Sequence, residues 1–80
     1  MAKILVVDDE PNLLHSVAYS LRKESHEVVT AADGEEALDK AQRERPDAVV
    51  LDVMLPGLDG FEVCRRLRAT STVPILMLTA

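Results

Sequence analysis

Residues 48–60 read AVVLDVMLPGLDG. The run opens with four apolar residues, Ala48 to Leu51, two of them β-branched. Such a run suits a strand buried on both faces, as in a parallel sheet. A carboxylate, Asp52, follows at once, and the chain passes through Pro56 and Gly57 before restarting at Asp59. Open α/β sheets carry their chemistry outside the carboxyl ends of the strands, so a strand ending in Asp marks a candidate site. The same residue could also be a plain turn cap. This stretch alone does not choose between the two.

Working outward, Lys3 to Val7 (KILVV) is a second aliphatic run, and it ends in Asp8, Asp9 and Glu10. Pro11 then favours the first turn of a helix. Leu13, Leu14, Val17, Ala18 and Leu21 recur at helical spacing, with His15 on the polar side and an end near Glu24–Ser25. Glu27 to Ala31 (EVVTA) reads as a strand. Asp33 with Glu36 fits a capping box for a helix whose modest apolar face is Ala37, Leu38 and Ala41, stopped by Pro46. A third helix starts at Asp59, again with a capping box to Glu62. Its expected inward face is Phe61, Cys64 and Leu67, with Val63 beside them and Arg65, Arg66 and Arg68 outward. After a polar turn, Ile75 to Leu78 is a last strand. The order β-α-β-α-β-α-β predicts one α/β domain with a parallel sheet and helices as outer layers.

Composition narrows the function. Eighty residues bound the chain to one domain with a small core. The aromatics are Tyr19 and Phe61, so the core is aliphatic. A net charge of −5 argues against nucleic-acid contact by this segment, because phosphate binding needs a basic face. One cysteine, Cys64, precludes an internal disulfide and fits a reducing, cytoplasmic compartment. No signal peptide and no apolar run of membrane-spanning length is expected.

In a parallel sheet, Asp8 and Asp9 after the first strand, Asp52 after the third and Thr79 after the fourth share one rim. If the first and third strands are neighbours, three carboxylates converge. Unit charges about 4 Å apart repel by roughly 4 kcal/mol at an effective dielectric near 20. Such a cluster takes up protons or holds a cation. Oxygen-only ligands on an open rim suit Mg2+, whereas zinc would want His or Cys there. A carboxylate beside Mg2+ can attack a phosphoryl group, and a hydroxyl such as that of Thr79 can hydrogen-bond the product.

The stretches KILVVDDEP, LDVMLPGLDGFEVCRRLR and PILMLTA together resemble the receiver domain of bacterial two-component response regulators, most closely receivers that precede a winged-helix DNA-binding domain. The resemblance covers residues 1–80. It implies a flavodoxin-like, CheY-like three-layer fold in which the strands present here have the order 2-1-3-4. It implies Asp52 as the phospho-acceptor from a sensor histidine kinase. Asp9 and Asp52 would ligate Mg2+ directly, Asp8 through water, and Met54 through its backbone carbonyl. Thr79 would be the switch hydroxyl and Ala80 its small neighbour.

The family's fourth helix, fifth strand and fifth helix, with the lysine that ends that strand, have no counterpart in these 80 residues. The chain therefore reads as the first part of a receiver, with any output domain outside it. Its fourth strand would be an edge through which copies could pair, giving a homo-oligomer. Two functions compete: a phospho-accepting signalling module that is not a turnover enzyme, and a structural or self-assembling unit without phosphotransfer. An Asp-dependent phosphatase would need D-x-D-x-T after the first strand. A nucleotide-binding domain would need a glycine loop that Gly34, Gly57 and Gly60 do not form.

Overall fold

The computed structural model describes residues 1–78. Seven elements follow the expected order: β1 (Lys3–Val7), α1 (Pro11–Lys23), β2 (Glu27–Ala31), α2 (Gly34–Glu44), β3 (Ala48–Asp52), α3 (Gly60–Thr70) and β4 (Ile75–Leu78). All strand pairs are parallel and the sheet order is β2-β1-β3-β4. The last paired residues of β1 and β3 are Val7 and Leu51. Thr79 and Ala80 lie outside the described residues.

Alternation along the strands sends side chains to two separate cores. Leu5, Val7, Val49 and Leu51 pack with Ala37 of α2 and with Val63 and Leu67 of α3. Ile4, Val6 and Val28 pack against Ala18 of α1. Four of the five β1 residues are buried, as a central strand between two helical layers requires.

β3 departs from the expectation of burial on both faces. Val49 and Leu51 are buried, but Ala48 and Val50 are only half-buried. The reason is the placement of α1, which packs over β1 and β2. The α1 side of β3 and β4 is thinly covered, and Leu76 of β4 is 62% exposed.

Helix ends are fixed by local chemistry. Glu10 caps α1 by accepting from the Asn12 amide, and Asp33 and Asp59 do the same for the Glu36 and Glu62 amides. The first capping box closes one residue early, because the Glu36 carboxylate accepts from Ala32 N rather than Asp33 N. The second closes only halfway, because the Glu62 carboxylate turns instead to Arg65 and Arg66. α1 ends in a Schellman motif: Ser25 sits at φ 72°, its amide donates to Arg22 O, and the His26 amide donates to Leu21 O.

The inward face of α3 is rotated from the one expected. Gly60, Val63 and Leu67 are buried, Cys64 is half-buried and Phe61 is 65% exposed. Gly60 sets this rotation. A Cβ there would collide with the backbone of Asp52 and would lie 2.7 Å from Val53 Cα. The bare backbone therefore seats directly on the end of β3, and the Gly60 amide donates to Val53 O at 2.8 Å. Phe61, one residue on, is turned away by about 100°. In α1, Leu13 is likewise exposed while Leu14, Val17 and Leu21 pack on the core.

The Glu62 carboxyl is drawn down to about 2, first by its hydrogen bond with Arg65 and then by that with Arg66. A depressed carboxyl stabilises the folded state fully above its ordinary value near 4.5, and that contribution fades as pH falls toward 2. The urea midpoint of wild type should therefore exceed that of Glu62→Gln by a constant gap at neutral pH. The gap should narrow below pH 4.5, and a gap independent of pH would show that the ion pairs do not stabilise α3.

Candidate functional site

The carboxyl rim of β1 and β3 carries the candidate site. Asp8 and Asp52 stand one register step beyond the Val7–Leu51 pair, so adjacent parallel strands bring them side by side. Asp9 joins them from the β1–α1 loop. One oxygen from each of Asp8, Asp9 and Asp52 lies within 4.8 Å of the others. The expected convergence is thus present. Asp8 is only 3% exposed, Asp52 is intermediate and Asp9 is exposed.

Backbone amides hold two of the three. Asp8 Oδ1 accepts from Glu10 N at 2.8 Å, and Asp52 Oδ1 accepts from Met54 N at 3.2 Å. The Asp8 amide extends the β1–β2 ladder by donating to Ala31 O, and the Val53 amide extends β3–β4 by donating to Leu78 O. The site therefore rests on sheet backbone up to its last residue. No lysine or arginine forms an ion pair with any of the three among the described residues. Three acids without a cationic partner form a cradle for a small hard cation with oxygen ligands.

The rim opens into a cleft of about 700 Å3 that includes Asp8, Asp9, Asp52, Met54 and Phe61. Leu13, Pro56 and Leu78 add apolar wall. Leu13, Met54 and Phe61 are 46%, 68% and 65% exposed, so the acidic centre sits inside an apolar collar. Sequence reasoning assigned Leu13 and Phe61 to the core. The signal that finds Phe61 is its offset from the Gly60–Val63–Leu67 line. Thr79, the remaining expected site residue, lies outside the described residues.

Residues 4–80 match the model of the response regulator receiver domain family, and the chain belongs to that family. Receiver domains are signalling domains of two-component systems. The chain is 58% identical over 79 residues to the alkaline phosphatase synthesis transcriptional regulatory protein PhoP of Bacillus subtilis, covering 98% of this chain and 33% of that protein. It thus spans about a third of such a curated relative. Among solved structures, the N-terminal domain of a response regulator receiver protein from Methanoculleus marisnigri superposes with a TM-score of 0.96 at 38% identity, covering 100% of this chain and 68% of that one. The response regulator TrrA of Thermotoga maritima, solved in complex with Mg2+–BeF, gives 0.94 at 43% identity, covering 100% and 70%. The strand order β2-β1-β3-β4 is the receiver arrangement over the part present. Among the described residues no helix is long and apolar enough to cross a membrane.

Three converging charges without a counter-ion should strain the apo fold. In chelator at low ionic strength, Asp52→Asn should raise the urea midpoint, by about 1 kcal/mol or more of stability. Added salt should shrink the difference. Equal midpoints at low salt would show that the cluster is already relaxed by solvent.

Proposed function

We propose that this chain accepts a phosphoryl group on Asp52 from a phosphohistidine of a sensor kinase in the cytoplasm. The observation that supports it best is the three-carboxylate cluster at the β1–β3 rim. An Asp52 oxygen attacks phosphorus, the P–N bond breaks, and its electron pair returns to the departing imidazole. The product is an acyl phosphate on Asp52. Asp9 and Asp52 would ligate Mg2+ directly, Asp8 through water, and Met54 through its backbone carbonyl. When bound, Mg2+ neutralises charge on the transferring oxygens. The chain's own part is positional. Asp8 is fixed by the Glu10 amide, and Asp52 by its strand and the Met54 amide. The Thr79 hydroxyl would hydrogen-bond the phosphoryl group. In a longer parent the modification would control transcription through a DNA-binding output domain, as the name of the B. subtilis relative suggests.

A second reading, self-assembly, is favoured by the β4 edge. β4 is hydrogen-bonded to β3 on one side, and its Leu76 is largely exposed. Such an edge is a template for pairing with a second copy.

Incubation with Mg2+ and acetyl phosphate should add the mass of one phosphoryl group to wild type. Asp52→Asn or excess chelator should abolish the adduct. A folded chain that gains no mass would overturn phosphotransfer for these 80 residues. Sedimentation velocity tests the second reading separately: a dimer growing with concentration is expected, and a clean monomer at high concentration would sink it.

A further inference from the structure

At the end of the molecule opposite the acidic rim, the C-terminal ends of α2 and α3 enclose a cleft of about 550 Å3. Its floor is apolar, from Leu38, Ala41, Leu67 and Val73, and Arg45 and Arg66 stand at its walls. The volume suits a few inserted side chains. We propose that this cleft is a docking groove for an acidic segment of a partner protein. Apolar side chains of that segment enter between α2 and α3, and its carboxylates pair with Arg45 and Arg66.

Two features of the cleft bear on this occupant, and the second carries it. The first is the backbone of Arg45. It caps α2 at φ 48° and ψ 63°, the left-handed conformation in which glycine is least strained. An arginine at such a position costs stability that a glycine would not, as does Ser25 at the end of α1. The second is charge. Arg43 pairs with Asp39, Arg65 pairs with Glu62, and Arg68 donates to Ser71 O. Arg66 engages Glu62 through Nε alone, leaving its terminal nitrogens outside that pair. Arg45 is exposed and makes no side-chain hydrogen bond or ion pair among the described residues. Among the residues that line the cleft, Arg45 and Arg66 are the charged ones and none is acidic, in a chain whose net charge is −5. Two guanidinium groups on an otherwise uncharged lining with an apolar floor complement an acidic amphipathic segment, because Arg binds carboxylate in a bidentate fork.

The test is a titration of the 15N-labelled full chain, followed by NMR. The probe is an acidic amphipathic peptide helix with leucines on one face and glutamates on the other, and its control carries lysine in place of glutamate. The acidic probe should shift the amides of Ala41, Gln42, Leu67 and Thr70, and salt should weaken it. Arg45→Gly should lower affinity about tenfold or more while raising the thermal midpoint, since glycine relieves the left-handed cap. Arg66→Gln, away from the strained position, should also weaken binding, and Asp52→Asn should bind as wild type does. Shifts of equal size with the lysine peptide, or centred on Leu76, would overturn the proposal. So would wild-type affinity in Arg45→Gly, or no shifts at millimolar peptide.

Discussion

The parallel pairing of β1 with β3 is the constraint on which the rest of the molecule depends. Ile4 to Val7 align with Ala48 to Leu51, and the next residue on each strand is an aspartate. A slip of one residue would exchange the faces of every side chain on that strand and pull Asp8 and Asp52 out of line. The apolar alternation therefore does two jobs at once. It selects the register that fills both cores, and that register sets the spacing of the carboxylates.

The acids in turn are tolerable only because the scaffold beneath them is firm. Val7, Val49, Leu51 and Val63 are fully enclosed. Burying a large aliphatic side chain contributes about 1.5–3 kcal/mol. A few such residues outweigh the repulsion among one buried carboxylate, Asp8, and two that reach solvent, Asp9 and Asp52. Stability is thus concentrated under the rim, while the rim keeps its charges unpaired and its collar of Leu13, Met54 and Phe61 open to solvent.

Most of this was legible from residue order. Aliphatic runs ending in Asp8 and Asp52 predicted both the sheet and the meeting of its acids, because strand polarity in a βαβ series leaves little choice. Positions decided by tertiary contact were harder. Phe61 looks like core until Gly60 is known to rest on β3 backbone, and Val50 looks buried until α1 is known to sit over β1 and β2. The left-handed caps Ser25 and Arg45 were invisible too, since neither residue type signals positive φ as glycine does. Which arginines remain unpaired likewise depends on rotamers. Glu62 satisfies two of them and Arg45 is left to solvent.

The absence of a side chain at Gly60 reaches further than packing. With nothing between them, the start of α3 and the end of β3 are in direct backbone contact and share a hydrogen bond from Gly60 N to Val53 O. Asp52 lies in the peptide that touches this joint. A side chain added at Gly60 would therefore push on the backbone that carries the Asp52 carboxylate, with no flexible group between them to give way.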